Sequence, residues 1–299
     1  MRALLILTFC LALAAPAQAL TRNQVFGIGD IKDPAAFSDP RFKALDVGSV
    51  RLIADWDVAR TKGFERDRVD AWFHGAVAAG VDPLLTFQGF AQKRGPTVRQ
   101  YTAAFKAARK RWPAIREWQA WNEANHIGEP VTYRHPERAA AYAKAMERAC
   151  RRCTIVPLTY VLSETTASAR WLERWLRAYG HTPRIWALHT YGDANHFTFA
   201  LLAHFLALHP RGRVWITETG GLATFSDRLG YDLARQRRAT KWAFAEALRF
   251  SRRVDRMYYW GWSGSPRPRR AGWDSGLVDV HGQSRPALRE ALRQRFKRR

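Results

Sequence analysis

Short apolar runs alternate with longer segments of helical periodicity along almost the whole chain. Candidate strands fall at 25–30, 47–56, 83–88, 115–122, 154–161, 184–191, 213–219 and 254–260. Their starts lie roughly thirty residues apart, the spacing of repeated strand–helix units. Between them, apolar positions recur every three or four residues at 66–79, 98–111, 137–151, 169–179 and 233–250, which predicts amphipathic helices. Eight such alternations in one chain predict an α/β fold, a closed (β/α)8 TIM barrel. An open doubly wound sheet would carry a glycine-rich phosphate turn after its first strand. Gly27-Ile28-Gly29 is too short for that fingerprint, and Asp30 occupies the turn.

The connections are of similar size and no low-complexity linker interrupts them, so 20–299 reads as a single domain. The one basic, proline-punctuated stretch, 266–270, falls in the loop after the eighth strand. The first residues do not fit the repeat. Met1-Arg2 opens the chain, 3–15 is a nearly unbroken apolar run, and Ala17-Gln18-Ala19 is a small-x-small cleavage signature. Residues 1–19 are therefore expected to be a signal peptide, and the run is too short for a permanent membrane span. The mature protein is expected to be secreted, extracellular or periplasmic, without a transmembrane segment and monomeric.

Composition changes this picture at three points. With 47% hydrophobic residues and 13 Trp there is ample material for a core, and some Trp faces are available to pack on sugar rings. The formal net charge of +23 raises the question of nucleic acid, but the basic residues are mostly Arg and spread along every expected helix. That distribution fits attraction to anionic envelope polymers better than a specific nucleic-acid stripe. Cys10 would leave with the signal peptide, which leaves Cys150-Arg151-Arg152-Cys153. In an oxidising compartment this pair is expected to form a disulfide between Cys150 and Cys153. A redox role or half of a zinc site are the alternatives. The pair ends a helix instead of starting one, and no second Cys pair is present.

Barrel chemistry sits where strands end and the following loops begin. The fourth strand ends in Trp118-Gln119-Ala120-Trp121-Asn122-Glu123, and the seventh in Val214-Trp215-Ile216-Thr217-Glu218. A Glu at the end of a buried apolar strand must be paired or used. Two of them on one rim supply what glycosidic cleavage needs: one carboxyl to protonate the leaving oxygen, another to attack the anomeric carbon or activate water.

Trp121-Asn122-Glu123 and Ile216-Thr217-Glu218 resemble the acid/base and nucleophile motifs of clan A glycoside hydrolases, the cellulase-like and xylosidase-like barrels. Arg51 on the second strand matches the arginine that holds the nucleophile in that group. His189 and Tyr191 at the end of the sixth match its His and Tyr, and Trp260 on the eighth matches the Trp under the catalytic sugar. The resemblance implies Glu123 as general acid/base and Glu218 as nucleophile, with Arg51, Asn122, His189, Tyr191 and Trp260 around the substrate, and no metal or cofactor. Arg51 is expected to lower the pKa of Glu218, and Tyr191 to orient it. The sequence departs from the group in Ala124, where Pro often follows the acid/base, and in Gln88, where some relatives carry His. Trp262 replaces Trp260 if the eighth strand is shifted by two residues. Trp56, Phe225, Trp262 and Trp273 are expected near the rim as outer subsites.

The function expected is retaining hydrolysis of a poly- or oligosaccharide by double displacement. The alternatives are a non-catalytic carbohydrate-binding barrel and an envelope scaffold that holds anionic polymers through its arginines.

Overall fold

The computed structural model of the chain describes residues 24–89, 92, 94–226, 228–265 and 272–294; the expected leader at 1–19 and the loop at 266–270 lie outside the described residues. The barrel wall is built from β1 (Val25–Gly29), β2 (Ser49–Asp55), β3 (Asp82–Gln88), β4 (Glu117–Gln119), β5 (Thr154–Val156), β6 (Thr159–Val161), β7 (Ile185–His189), β8 (Arg213–Thr219) and β10 (Val254–Trp260). All pairings in this sheet are parallel, in the order β5-β4-β3-β2-β1-β10-β8-β7-β6.

Those nine segments fill eight barrel positions. β5 and β6 are two halves of one strand, separated by Pro157 and Leu158. β5 pairs with β4, and β6 pairs with β7. Proline has no N–H to give to a ladder, so pairing breaks there. Hydrogen bonds from Ala124 N to Thr159 O and from Ala187 N to Leu158 O stitch the break to both neighbours and close the ring. The eight expected strands are thus present. Only the fourth is much shorter in ladder terms, yet Ala120 N still bonds to Val156 O and Asn122 N to Phe87 O. The wall is therefore continuous up to Glu123.

Around the barrel run α1 (Pro40–Ala44), α2 (Phe64–Ala78), α3 (Val98–Arg111), α4 (Pro130–Tyr133), α5 (Pro136–Ala149), α6 (Thr166–Tyr179), α7 (Tyr191–His196), α8 (Ala200–Leu208), α9 (Leu233–Arg249) and α10 (Pro286–Arg293). The five expected helices are α2, α3, α5, α6 and α9. Local signals set their ends: a Thr97/Gln100 capping box starts α3, Asp232 caps α9, and Gly180 in the left-handed region stops α6. α8 escaped the periodicity because Ala200–Leu208 is apolar on nearly every face, and α10 because it is short. A two-stranded ribbon of β9 (Thr224–Phe225) and β11 (Trp273–Asp274), also without a clear sequence signal, sits over the barrel mouth. Among the described residues no helix is long and apolar enough to cross a membrane.

The main core lies between the wall and the helices, and a smaller cluster of Leu84, Val156, Ala187, Trp215 and Tyr258 fills the barrel interior. Small and large residues alternate across neighbouring strands there. A Cβ on Gly27 would meet the Tyr258 ring at 2.4 Å, and one on Gly29 would meet Trp260 at 2.5 Å. Below this cluster Arg256 forms a double hydrogen bond with Glu117 and lies 3.9 Å over the Trp215 ring. Above it the interior becomes polar, and that layer carries the site. Cys150 and Cys153 are joined by a disulfide after α5.

Candidate active site

The polar layer is organised by Arg51, whose side chain is fully buried. Its Nε donates to Thr86 Oγ1 at 3.0 Å and Gln119 Oε1 at 2.8 Å, Nη2 to Asn122 Oδ1 at 2.8 Å, and Nη1 to Glu218 Oε1 at 2.7 Å. A guanidinium with every direction occupied is a rigid anchor, and a charge-assisted pair of this kind fixes the carboxylate plane. Tyr191, at the start of α7, donates its hydroxyl to Glu218 Oε2 at 3.1 Å. Both oxygens of Glu218 are therefore held from below and from one side.

Glu123 stands where the chain leaves the fourth strand, with φ of 39°, a left-handed conformation uncommon for a side-chain-bearing residue. The turn that follows, closed by His126 N to Glu123 O at 2.7 Å, aims the carboxyl back over the barrel mouth. Glu123 Oε1 and His189 Nδ1 share a 2.9 Å hydrogen bond, and His126 Nδ1 lies 3.8 Å from Oε2. His189 is buried and its Nε2 stands 3.4 Å from Glu218 Oε1 without a hydrogen-bond partner. One oxygen of each Glu and a nitrogen of His189 all fall within 4.8 Å of one another. Three such groups could also meet one cation. His189 Nδ1 and both Glu218 oxygens already have partners, however, which leaves few free donors for a metal cage.

Trp260 ends β10 with its ring 5.6 Å from the Arg51 guanidinium carbon, so it floors the same space. The alternative register is excluded. Gly261, with φ of 91°, turns the chain, and Trp262 points into the core edge-on to Phe42. Trp262 is therefore no rim subsite. Trp273 and Phe225 do sit at the mouth: the Trp273 ring meets Tyr191 edge-on at 4.3 Å and Phe225 at 5.1 Å. Trp56 is half-buried at the end of β2, bonded to Gln92 Oε1. The seven residues expected at the site, Arg51, Asn122, Glu123, His189, Tyr191, Glu218 and Trp260, are thus brought together from five strand positions.

The electrostatics correct one expectation. Burial raises the Glu218 carboxyl above its ordinary value, and the charges of His189 and Arg51 offset this only in part. Arg51 pulls in the expected direction without winning. Burial also acts on Glu123, but the hydrogen bond and charge of His189, with His126 and Arg51 behind them, hold it below its ordinary value. Tyr191 is pushed far up by burial and by the two carboxylates, so it stays a neutral donor.

Sequence reasoning missed the supports. Thr86 and Gln119 lie one layer beneath Arg51 on the inward positions of β3 and β4, and only strand alternation hinted at them. Glu129, buried after the fourth strand, accepts from Trp121 Nε1 at 2.8 Å and Gly89 N at 3.2 Å through one oxygen. Burial pushes its carboxyl up to about 7. Glu246, on α9, accepts from Thr190 Oγ1 at 2.6 Å and belongs to the same shell.

Neither a protein-family model nor a curated protein matches the sequence. Solved structures match its fold. A family 39 glycoside hydrolase from the gut symbiont Bacteroides cellulosilyticus WH2 superposes with a TM-score of 0.65 at 13% identity, over 92% of this chain and 64% of that one. This chain therefore spans just under two thirds of that protein's length. A thermostable mutant of a xylanase from Cellvibrio japonicus gives 0.65 at 13% identity, over 93% and 99%. A β-1,3-glucanosyltransferase from Rhizomucor miehei, an active-site mutant in complex with laminaritriose, gives 0.62 at 12%, over 89% and 97%. These neighbours are clan A glycoside hydrolases, and the chain has the (β/α)8 fold that they share.

Proposed function

We propose that this protein is a retaining glycoside hydrolase that cleaves a poly- or oligosaccharide by double displacement. The observation that carries the reading is the pair of carboxyl groups from opposite sides of one barrel mouth, with oxygens within 4.8 Å of each other. Retaining enzymes hold their carboxyls about 5–5.5 Å apart, whereas inverting ones leave roughly 6.5–9.5 Å for a water. Glu218, clamped by Arg51 and Tyr191, attacks the anomeric carbon as the glycosidic C–O bond breaks, and the leaving oxygen takes a proton from Glu123. Glu123, now a carboxylate, removes a proton from water, whose oxygen displaces Glu218 and releases the sugar with its anomeric configuration retained.

In the open cleft the two carboxyls rest in the reverse order of proton affinity from the one this cycle needs at its start. Substrate supplies the difference. The Glu123 side chain is 25% exposed and Glu218 only 7%, so a bound sugar strips water mainly from Glu123 and penalises its charged form. Glu218 is already dry and retains its two donors, so the proton passes to Glu123. The same proposal has the protein act outside the cytoplasm, a reading supported by the apolar run and Ala17-Gln18-Ala19 expected to be a signal peptide and by the Cys150–Cys153 disulfide.

The test is release of reducing ends from a panel of neutral and acidic polysaccharides. Glu218→Gln is expected to lose activity on every substrate, by a factor on the order of 10⁴ or more. Glu123→Gln is expected to lose it on polysaccharides but keep much of it on an aryl glycoside whose leaving group needs no proton. The reverse pattern exchanges the two roles. Full activity in Glu218→Gln rejects the mechanism. If both variants still bind anionic glycan and the parent cuts nothing, the protein is a binding barrel instead.

A further inference from the structure

Beside Glu123, outside the pair of carboxyls, a cavity of about 750 Å³ opens between the loop after the fourth strand and the start of α6. Its rim and walls carry Arg134, Arg170, Arg174 and His126, and no carboxylate is among the lining residues. Arg174 is engaged by Glu137 at 3.0 Å, whereas the guanidinium groups of Arg134 and Arg170 make no ion pair among the described residues. The same cavity presents Tyr133, which is 40% exposed, as a flat apolar face, together with hydroxyl groups such as that of Ser163. Unpaired arginines, an exposed ring and hydroxyls in one hollow are the complement of a charged sugar, since guanidinium groups match carboxylate and sulfate oxygens two at a time.

The position of the cavity says which sugar it would take. His126 both lines it and approaches Glu123 Oε2 at 3.8 Å. A glycosidic oxygen protonated by Glu123 belongs to the departing sugar, which lies on the Glu123 side and away from Glu218. We propose that this cavity is a leaving-group subsite for an anionic sugar residue, its carboxylate or sulfate held by Arg134 and Arg170. The assignment to the leaving side rests on the roles proposed above for Glu123 and Glu218; the anion specificity does not.

Binding separates the two. The probes are trigalacturonate for carboxylate, a κ-carrageenan oligosaccharide for sulfate, and xylotriose and cellotriose as neutral sugars. Each is titrated calorimetrically into the Glu218→Gln protein at about 0.15 M salt, where diffuse surface attraction is screened. One acidic probe is expected to bind more tightly than either neutral one. Arg134→Gln with Arg170→Gln is expected to weaken it on the order of tenfold or more. Lys241→Gln with Arg289→Gln removes the same charge from the remote basic face between α9 and α10 and is expected to change little. Equal losses in the two double variants would mean that only net charge matters, and equal affinity for neutral and acidic probes would mean that the cavity does not read charge; either overturns the proposal. If the binding pattern holds but the parent releases no reducing ends from any polysaccharide, neutral or acidic, the anion site stands, while its assignment to the leaving side falls together with the hydrolase reading.

Discussion

Glu246 has no solvent exposure, and its surroundings require a neutral acid. Burial raises its carboxyl far above the ordinary 4.5, and the adjoining Asp193 carboxylate adds to this. Asp193 accepts from the N–H groups of Leu201 and Leu202 at the start of α8. A protonated Glu246 can donate to Asp193 while accepting from Thr190, the residue between His189 and Tyr191. Glu246→Gln keeps an acceptor for Thr190 and a donor on the Asp193 side and is expected to keep activity and melting temperature near neutral pH. Glu246→Leu removes the carboxyl that accepts from Thr190 Oγ1 and is expected to cost about 1–3 kcal/mol and to lower kcat. The pH dependence has a definite sign. A carboxyl raised in the folded state contributes stability that is complete below the unfolded value and is lost as pH rises toward the folded one. The parent should therefore lose stability relative to Glu246→Gln as pH climbs above 4.5. A constant difference in denaturant midpoint across pH would show that Glu246 is ionised. Arg51→Met, by stranding Glu218 in a dry site, is expected to cost about 3–5 kcal/mol and all activity.

Two junctions between elements govern the site. Behind β8, an added Cβ on Gly221 would lie 2.0 Å from the backbone oxygen of Gln236 on α9. Neither backbone can yield locally, so Gly221→Ala is expected to cost about 1–3 kcal/mol by overpacking and to displace Glu218, three residues away. Loss of kcat with an unchanged melting temperature would contradict this. The second junction is Glu129, which ties the turn after the fourth strand to Gly89 and to Trp121 beneath it. Its carboxyl, raised to about 7, is neutral in weak acid and charged above that. Stability is therefore lost between about 4.5 and 7, up to ~3 kcal/mol, and Glu129→Gln should flatten that part of the profile. Unfolding by urea at a series of pH values checks it.

At the scale of the molecule, the net charge of +23 is carried mostly by arginines, which are spread along the whole chain. Such a surface attracts anionic polymers broadly, and that attraction is screened beyond about 8 Å at physiological salt. Retention on an anionic polysaccharide matrix is expected to survive the loss of both Glu123 and Glu218 and to fall with salt. Hydrolysis should depend on the two carboxyls at any salt. Binding that vanished with the carboxyls would place the attraction in the cleft instead.

The sequence by itself determined the barrel and singled out the two carboxyls that the fold brings to one rim. Periodicity and length are local properties, so eight strands and five helices were legible, and Glu123 and Glu218 stood out because carboxyls are costly at the ends of apolar strands. It could not tell Trp260 from Trp262, since one positive-φ glycine between them decides which ring faces the site. Nor could it show Thr86, Gln119, Glu129 or Glu246, which look like ordinary polar residues until a distant neighbour buries them. Only closure of the ring brings Arg51 to Glu218, 167 positions away, and Glu123 to His189, 66 away. The order of proton affinity between the two carboxyls was likewise decided by tertiary structure. It depends on how much water each has lost and which cation faces it, and both are fixed by packing that no local stretch of sequence encodes.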